Sequence, residues 1–288
     1  MQKTLLTGSS GFFGSRFKAN FPVIAHLTTV SLQSTQVNAI DFNGMEVAVH
    51  AAGIAHRMEK TDDQLYFAVN RDLTLELAQA AKAAGVPHFV FISTIKVFGV
   101  DASDTPITVR TVCHPNNAYG QSKWEAEEGL RALEDDAFKV AIIRPPLVYG
   151  PGAKGNLEKI MRMIAGSLPL PFGGIHNRRS MVYLDNLIAY IHFLIEKRAS
   201  GIFLPADEPA ISTTYMVEQL AQTISPGKRL LSLPGPSRSL LRQLKPEFHQ
   251  RLFGSLEVES TYDSSGFQPP HTIEEGLQAM AAAYQKKH

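Results

Sequence analysis

The chain of 288 residues is predicted to form an α/β fold, a doubly wound parallel sheet with a smaller mixed α/β C-terminal lobe. The first observation is that short apolar strands alternate with segments of helical spacing, a pattern typical of a parallel sheet. The second is a glycine-rich loop between the first strand and the first helix. The third is that this alternation ends after Arg144, where proline and glycine become frequent.

The predicted strands are short apolar runs, and the predicted helices carry apolar residues at helical spacing. Strands are expected at Lys3–Leu6, Thr28–Leu32, Gln36–Ile40, Val47–His50, His88–Ile92 and Val140–Ile143. Helices are expected from about Phe12, over Leu65–Ala84 (ending at Gly85-Val86-Pro87), over Ala118–Leu133 and over Asn186–Lys197, which Asp185 would cap. Because no crossover helix fits between Ile40 and Val47, we expect an abbreviated first half of the sheet.

The region after Arg144 differs in composition and in predicted secondary structure from the region before it. Prolines and glycines cluster at Pro145-Pro146 and Gly150-Pro151-Gly152, and mixed short helices and strands follow. Residues 181–197 again have the pattern of a strand and then an apolar helix. We therefore expect one domain from residues 1–144 plus roughly 181–200, and a smaller lobe from roughly 145–180 and 201–288.

Composition and charge argue against several classes of protein. The net charge is +1, so no basic field indicates a nucleic acid and no polybasic tail indicates a membrane. The N-terminus lacks the pattern of a signal peptide, and the longest apolar stretch, Leu187–Ile195, is too short to span a bilayer. The single cysteine, Cys113, excludes an internal disulfide and is expected to be an ordinary thiol rather than a nucleophile. These features predict a soluble cytoplasmic protein.

The glycine loop has the sequence Gly8-Ser9-Ser10-Gly11-Phe12-Phe13-Gly14. It follows a strand and opens a helix, which is the context in which free backbone N–H groups and the helix dipole bind a pyrophosphate. The alternative is a plain corner between strand and helix. A second small-residue segment, Ala51-Ala52-Gly53, follows the strand that ends at His50. No metal site is expected, because His50 and His56 have no acid or thiol to complete one.

A tyrosine and a lysine, Tyr119 and Lys123, are four residues apart and therefore share one face of the predicted helix. A free phenol has a pKa of about 10, and lowering it to about 7 needs roughly 4 kcal/mol of preferential stabilisation of the phenolate. The ammonium group of Lys123 and a bound positive group would together supply it. Ser93 and Thr94 end the central strand, where open α/β sheets bind ligands. A surface helix can carry such a pair by chance, and a Ser-Thr pair can be structural.

The spacing Gly-x-x-Gly-x-x-Gly combined with Tyr-x-x-x-Lys resembles the short-chain dehydrogenase/reductase superfamily. The chain length and second lobe are similar to its extended branch, the nucleotide-sugar epimerases, dehydratases and reductases, from Thr7 to about Tyr284. This resemblance implies a Rossmann-like domain that binds NAD or NADP, with Thr94, Tyr119 and Lys123 as catalytic residues. The implied cofactor contacts come from Gly8, Gly11, Phe12, Phe13, Gly14, Asp41, Phe42, Ala51, Ala52, Gly53, Ser93, Tyr119, Lys123 and Pro146.

The chain departs from the family pattern at three places. Dehydratases of this branch carry Asp-Glu after the catalytic threonine, but Ile95 and Lys96 stand here, which argues against a 4,6-dehydratase. No acid precedes Asp41 to accept the 2′-hydroxyl of adenosine, which favours a site that tolerates a 2′-phosphate. The family often has an asparagine where Leu147 stands.

The resemblance also implies a substrate. Arg179 would pair with the diphosphate of a UDP-sugar and Asn156 would contact uracil or phosphate, although Arg179 could instead pair with a surface carboxylate. The expected reaction is hydride exchange at C4 of a UDP-hexose or UDP-N-acetylhexosamine by a 4-epimerase. A 4-keto-reductase of a UDP-4-keto-6-deoxy-N-acetylhexosamine is the alternative, and a silent NAD(P)-binding sensor is the rival from another class. Family members also lead us to expect a homodimer, formed through a face that includes the Tyr119 helix.

Overall fold

The computed structural model describes residues 2–20, 26–54 and 62–287. By compactness the chain divides into two units. The first comprises residues 1–100, 109–145 and 188–204, and the second comprises residues 101–108, 146–187 and 205–288. Relative to the division expected from the sequence, residues 101–108 and 181–187 fall in the second unit.

The strands of the described chain are short, and most match the apolar runs of the sequence. They are β1 (Thr4–Thr7), β2 (Leu27–Val30), β3 (Val47–His50), β4 (His88–Ile92), β5 (Lys139–Ile143), β6 (Leu147–Tyr149), β7 (Leu170–Gly173), β8 (Arg179–Tyr183), β9 (Gly201–Phe203), β10 (Asp207–Ile211) and β11 (Leu230–Ser232).

The helices begin and end as follows. They are α1 (Phe12–Ala19), α2 (Asp63–Phe67), α3 (Leu73–Ala83), α4 (Ala118–Leu133), α5 (Asn156–Ala165), α6 (Leu184–Glu196), α7 (Thr213–Ile224), α8 (Gly235–Leu244), α9 (Pro246–Phe253), α10 (Tyr262–Ser265) and α11 (Ile273–Lys287). A π-helical turn, Ala68–Asp72, joins α2 to α3, so the single helix expected over residues 65–84 is interrupted. Helix α6 begins two residues earlier than predicted and places Asp185 in its first turn instead of at its cap.

The first unit is built on a six-stranded sheet in the order β2-β1-β3-β4-β5-β9. Every neighbouring pair in it is parallel, which confirms the predicted parallel α/β sheet. Strands β1 and β3 are buried along their whole length, as expected of strands covered on both faces. Apolar side chains of the strands and of helices α3 and α4, such as Phe89, Leu77 and Leu130, form the core between these layers.

The strand predicted at Gln36–Ile40 is absent from this sheet. Residues Val37–Ala39 form a short 3-10 turn, closed by hydrogen bonds from the Ala39 amide to Gln36 and from the Ile40 amide to Val37. Only Val37 of these three residues is buried. One inward side chain gives an extended segment little reason to pair with the sheet, so local hydrogen bonds prevail.

The second unit contains two small sheets. Strand β8 lies between β10, to which it is antiparallel, and β6, to which it is parallel. The sequence pattern assigned the strand near residue 181 to the large parallel sheet. The structure instead places this strand, β8, in the three-stranded sheet. Strands β7 and β11 pair in parallel as a separate two-stranded ribbon.

Helices α8 and α9 differ from the other long helices of the second unit. Helices α7 and α11 bury apolar residues such as Leu220 and Leu277, whereas neither α8 nor α9 contains a buried residue. Within the described residues, no helix combines the length and apolar character needed to cross a membrane.

Candidate functional site

Three loops that the sequence analysis singled out leave the same edge of the parallel sheet. The glycine loop follows β1, residues 51–53 follow β3, and Ser93-Thr94 follow β4. Because β1, β3 and β4 are adjacent and parallel, their carboxyl ends meet at one edge. This is the edge at which open α/β sheets bind ligands.

The glycine loop is closed tightly against the neighbouring loop. Gly8 has a φ of +74°, and a Cβ placed there would lie 2.5 Å from the backbone nitrogen of Ala52. A Cβ at Gly14 would lie 2.1 Å from the carbonyl oxygen of Gly8. Glycine is therefore required at both positions by backbone packing alone.

The start of α1 fits an anionic group. Gly11 is its N-cap, and no side chain caps the helix, so no side chain covers the amides of the first turn. The Gly11 amide donates to the Gly8 carbonyl at 3.0 Å, which folds the loop back on itself. Backbone N–H groups at a helix N-terminus carry partial positive charge, and this arrangement suits the pyrophosphate of a dinucleotide.

His50, at the end of β3, is a structural residue. Its Nδ1 lies 2.7 Å from the hydroxyl of Thr7 and its Nε2 lies 2.9 Å from the hydroxyl of Thr74. Burial lowers the pKa of His50 to about 3, and the nearby charge of Lys123 acts in the same direction. The ring is therefore neutral, with both nitrogens engaged. His56, considered with it in the sequence, lies outside the described residues.

Asn70, in the π-helical turn, fixes the loop that follows β3. Its Oδ1 accepts from the Ile54 amide at 2.8 Å, and its Nδ2 donates to the Ile54 carbonyl at 3.1 Å and to the hydroxyl of Ser122 at 3.3 Å. A Cβ at Gly53 would lie 2.9 Å from the Asn70 Oδ1 and 3.3 Å from the Lys123 Nζ. The structure thus brings Gly53 against Lys123, and the sequence alone did not reveal this positioning role of Asn70.

The Tyr119 hydroxyl is hydrogen-bonded to the side chain of Thr94. Tyr119 occupies the first turn of α4, which Asn117 caps by accepting from the Gly120 amide at 2.8 Å. The Tyr66 ring packs edge-on against Tyr119, with the ring centroids 6.0 Å apart. Both Thr94 and Tyr119 are partly exposed, so a ligand can reach the two hydroxyl groups.

Lys123 lies one turn further along α4 and is buried, at 5% exposure. Its Nζ donates to the Ile92 carbonyl at 2.9 Å and lies 4.5 Å from the centroid of the Phe91 ring. Burial lowers the pKa of Lys123 to about 8, and the charge of Glu127 opposes this shift.

The protein's own groups raise the pKa of the Tyr119 phenol. Burial raises the pKa of Tyr119 to about 12, against a lowering effect of the Thr94 hydrogen bond. Desolvation of the phenolate outweighs the Thr94 hydrogen bond, and a positive group bound beside the phenol would act in the lowering direction. The expectation that Lys123 and a nicotinamide ring would together bring this pKa near 7 concerns the protein with its cofactor bound, and it stays a prediction.

An ion pair lies beneath these residues, and the sequence analysis missed it. Glu127, one turn beyond Lys123, accepts from the Arg144 Nε at 3.1 and 3.0 Å and from the Arg144 Nη2 at 2.5 Å. The Ser93 hydroxyl also donates to Glu127, so that hydroxyl is already engaged. All three residues are buried. The continuing four-residue spacing from Tyr119 through Lys123 to Glu127 was the available sequence signal.

Cys113 is also close to this ion pair. Burial raises the pKa of Cys113 to about 11, with a smaller opposing effect from Arg144. The thiol is therefore protonated at neutral pH, in keeping with the expected ordinary thiol.

A cavity of about 470 Å³ opens beside the end of β2. It is lined by Leu32, Gln33, Ser34, Thr35, Gln36, Val37, Asn38, Leu73 and Glu76. Glu76, on α3, brings an acid to the end of β2 from a distant part of the chain, and the lining contains no basic residue.

The remaining predicted cofactor residues are distributed as follows. Asp41 is exposed and its carboxylate accepts from the Asn43 amide at 2.9 Å. Phe42 is buried in the core of the first unit, so it presents little surface to a ligand. Phe12 and Phe13 lie in the first turn of α1 and are partly exposed. Pro146 is buried and belongs to the second unit.

The second unit has a charged cluster of its own around Asp101. The Nη1 of Arg179 donates to the Gly254 carbonyl at 2.9 Å and to the Asp101 carbonyl at 3.4 Å. The Nε of Arg251 donates to the Asp101 carboxylate at 3.0 Å. Burial lowers the pKa of Arg179, against a raising effect of the Asp101 charge, and the charge of Arg251 also lowers it. Arg251 also lies 3.7 Å from the Glu247 carboxylate, so the two guanidinium groups are accompanied by two carboxylates, those of Asp101 and Glu247.

The other residues near this cluster have different environments. Asn177 is buried and holds the end of α9, since its Nδ2 donates to the carbonyls of Leu252 and Gly254, both at 3.2 Å. Asn156 is exposed at the first position of α5, where Gly155 provides no side-chain cap. Arg251 is a candidate anion ligand that sequence reasoning missed, because no motif links it to Arg179.

Comparison with known proteins gives a consistent picture. Residues 4–203 match the model of the NAD dependent epimerase/dehydratase family. The chain is 35% identical to a UDP-glucose 4-epimerase of Vibrio cholerae over 310 aligned residues, covering 97% of this chain and 94% of that protein. It is 26% identical to the N-acetyl-α-D-glucosaminyl-diphospho-ditrans,octacis-undecaprenol 4-epimerase of Escherichia coli O157:H7, covering 95% and 92%.

The fold is also shared with solved structures. One is a UDP-glucuronic acid 4-epimerase from Bacillus cereus in complex with NAD, with a TM-score of 0.78 at 18% identity. The match covers 99% of each chain. At this identity the likeness concerns the fold alone.

Proposed function

Because this chain belongs to the NAD dependent epimerase/dehydratase family, we propose that it exchanges hydride at C4 of a UDP-hexose or UDP-N-acetylhexosamine as a UDP-sugar 4-epimerase. The observation that carries this proposal is the hydrogen bond between Tyr119 and Thr94, one turn from Lys123 and beside the glycine loops. The 35% identity to a UDP-glucose 4-epimerase supports the choice of substrate class.

The residues of the first unit would divide the work of proton transfer. Bound NAD would accept the hydride and return it. Tyr119 would take the proton of the C4 hydroxyl and give it back, and Thr94 would hold the reacting oxygen by a hydrogen bond. Lys123 would hold the ribose of the cofactor beside Gly53. Its ammonium group, together with the positive nicotinamide ring, would lower the pKa of Tyr119.

The glycine loops would hold the dinucleotide. Phe12, Phe13 and Gly14 would offer their amides to the pyrophosphate, while Gly11, whose amide closes the turn on Gly8, would let the loop approach it. Ala51, Ala52 and Gly53 would lie beside the other end of the dinucleotide. Gly8 and Gly14 would serve by letting the two loops approach. Asp41, Phe42 and Pro146 remain proposals from the resemblance, as does a role of the Ser93 backbone.

The cavity beside β2 favours NAD over NADP as the cofactor. Its lining includes Glu76 and no basic residue, so a 2′-phosphate there would meet an acid without a neutralising partner. We expect tighter binding of NAD than of NADP, contrary to the weaker argument from the sequence. Dissociation constants for both dinucleotides would test this. The substitution Glu76→Gln is expected to bring the dissociation constant of NADP closer to that of NAD.

Arg179 and Arg251 would bind the diphosphate of the substrate, and Asn156 would contact the uracil or a phosphate. Forked guanidinium groups suit a diphosphate because each can donate two parallel hydrogen bonds. Asp101 holds Arg251 in place through its Nε, and the exposed Glu247 carboxylate, 3.7 Å from its Nη2, would have to give way to a diphosphate there. On this proposal the first unit is the NAD-binding domain and the second unit binds the sugar nucleotide.

A lipid-linked sugar diphosphate is a second candidate substrate. The relative from Escherichia coli O157:H7 is named for an undecaprenol-linked substrate. The specific observation in this chain is the exposed apolar and basic surface of α8 and α9. The chemistry at C4 would be unchanged, because both substrates present a diphosphate.

One assay separates these functions. The purified chain would be incubated with UDP-glucose, UDP-N-acetylglucosamine, a UDP-4-keto-6-deoxy-N-acetylhexosamine or polyprenyl-diphosphate-linked N-acetylglucosamine, each with oxidised or reduced cofactor. Epimerised product without net cofactor oxidation supports the epimerase. Stoichiometric oxidation of reduced cofactor by the keto sugar alone indicates the reductase. Cofactor binding without turnover of any sugar contradicts the proposal and favours the sensor.

The expected homodimer is a proposal as well. Light scattering of the purified chain would test it, and a monomer at micromolar concentration would contradict it.

A further inference from the structure

The second unit exposes apolar side chains on one short stretch of chain. We use "α8–α9 surface" for the exposed side chains of Leu231, Arg238, Leu240, Arg242, Leu244, Lys245 and Phe248. Leu240, Leu244 and Phe248 are 55%, 70% and 54% exposed. Since α8 and α9 contain no buried residue, their apolar side chains contribute little to the core of the unit. A stretch of this kind is typical of an interaction surface.

The apolar side chains share one side of α8. Leu240 and Leu244 are four residues apart and therefore lie on one face, and Phe248 follows at the start of α9. Arg238 and Arg242 are likewise four residues apart, but they lie on the face of α8 opposite the leucines, and the Arg238 guanidinium is 4.5 Å from the centroid of the Phe253 ring. An apolar face opposite a polar face that carries arginines is typical of a helix that lies in the interface of a membrane.

The charge of the chain is concentrated here. Residues 228–251 contain six basic side chains and one acidic side chain, although the whole chain has a net charge of only +1. The rest of the chain is therefore net negative. His249 reflects the local field, because burial and the charges of Arg242 and Arg238 all lower its pKa. The expectation that no membrane is involved rested on the low net charge, the lack of a polybasic tail and the shortness of the apolar stretch 187–195, none of which reveals this local asymmetry of charge.

The same helix that exposes Phe248 also carries Arg251. Phe248 is three residues before Arg251, about 4.5 Å along the helix axis. The Arg251 guanidinium turns towards Asp101, beside Arg179. A molecule with a lipid tail in a bilayer and a diphosphate at its surface could therefore contact α9 twice, with its tail near Phe248 and its diphosphate near Arg251.

We propose that the α8–α9 surface docks on an anionic lipid bilayer, with Leu240, Leu244 and Phe248 inserted among the headgroups and the arginines on anionic lipids. Charge complementarity selects this occupant over a second copy of the chain, because two copies would bring their arginines together. Docking would keep the second unit at the surface where lipid-linked sugar diphosphates reside. The docking itself does not depend on the UDP-sugar function.

The test is flotation of the full chain with vesicles of phosphatidylcholine alone or containing 30% phosphatidylglycerol (about one anionic lipid in three). We expect binding to the anionic vesicles only, and release by high salt. Arg238→Glu with Arg242→Glu should weaken binding by about 25-fold or more, from about fivefold per cation. Leu240→Glu with Leu244→Glu should weaken it by at least about tenfold, through loss of apolar insertion.

Two controls match these changes in chemistry. Val112→Glu places a charge on an exposed apolar residue of the first unit, and Lys286→Glu with Lys287→Glu reverses two charges at the end of α11. Both should bind vesicles like the wild type. Circular dichroism of each variant checks its fold.

Three results would overturn the proposal. One is equal binding to neutral and anionic vesicles or none to either, and another is equal weakening by the control variants. The third is sedimentation equilibrium in which Leu240→Glu with Leu244→Glu dissociates a wild-type dimer, which would assign this face to a second copy. The vesicle assay contains no sugar nucleotide, so its failure would leave UDP-sugar turnover, measured separately, unaffected.

Discussion

The two polar clusters of this protein are assembled in different ways. In the first unit, Tyr119, Lys123 and Glu127 follow one another at four-residue intervals on α4. In the second unit, Asp101 meets Arg179 and Arg251 across separations of 78 and 150 residues. The cluster of the first unit is therefore formed by residues close in sequence on one helix, whereas the cluster of the second unit forms only because segments distant in sequence come together.

The clusters also differ in how burial acts on their charges. Lys123 loses much of its preference for the charged form, and its pKa falls to about 8. Arg179 is also desolvated, but backbone carbonyls accept its hydrogen bonds, and a guanidinium remains charged at any physiological pH. The first arrangement suits proton transfer, and the second suits holding a fixed anion. Each of the following substitutions tests one side of this contrast.

The largest expected effect is that of Tyr119→Phe. Removing the hydroxyl removes the proposed acid and base, so kcat should fall by about a thousandfold or more, while the melting temperature stays close to that of the wild type. Steady-state assays with the UDP-sugar that the chain turns over would measure it. Tyr66→Phe, in the ring beside it, is the matched control and should retain most activity. Full activity of Tyr119→Phe would remove the phenol from the reaction.

The next effect is on stability, from Glu127→Gln. This change leaves the buried Arg144 without its carboxylate, so the free energy of unfolding should fall by about 3 kcal/mol. Urea denaturation measures it. Glu128→Gln is the control, because the Glu128 ion pair with Arg131 is exposed and should contribute less than about 0.5 kcal/mol. Equal losses in the two variants would show that burial does not set the strength of these pairs.

A smaller effect is expected in the second unit from Arg179→Ala. Loss of one charged hydrogen-bonding partner for the diphosphate should raise KM by about thirtyfold, or about 2 kcal/mol, with kcat nearly unchanged. Arg178→Ala is the neighbouring control, since Arg178 pairs with Glu257 on the surface. An unchanged KM for Arg179→Ala would restrict that residue to the structural contacts with residues 101 and 254.

The smallest effect is a pH dependence of stability, seen by comparing the wild type with Lys123→Met. The folded pKa of Lys123, about 8, is below its unfolded value of 10.5, so the unfolded chain binds more protons between these values. The contribution of Lys123 to stability is therefore unfavourable below pH 8 and improves as the pH rises to about 10.5. Relative to Lys123→Met, the wild type should gain about 2 kcal/mol over this interval. Parallel denaturation curves at each pH measure the difference, and a constant difference would contradict the shift.

Much of the first unit could be predicted from the sequence. Strands β3 and β4 and helix α4 have the predicted bounds, because apolar periodicity and helix caps are local properties. The glycine loop was identified because it must turn within a few residues between a strand and a helix. The Tyr119 and Lys123 pair was identified because residues four apart on a helix necessarily share a face.

Other features were decided only by the tertiary structure. The pattern near residue 181 predicts a strand correctly, but its assignment to the smaller sheet depends on β6 and β10. The raised pKa of Tyr119 depends on how many neighbours exclude water from it. The meeting of Arg179 and Arg251 depends on residues brought together over long separations, and nothing in the local chain records it. Local backbone preferences thus determined the elements and the motifs, whereas burial and long-range pairing decided the charges that these motifs carry.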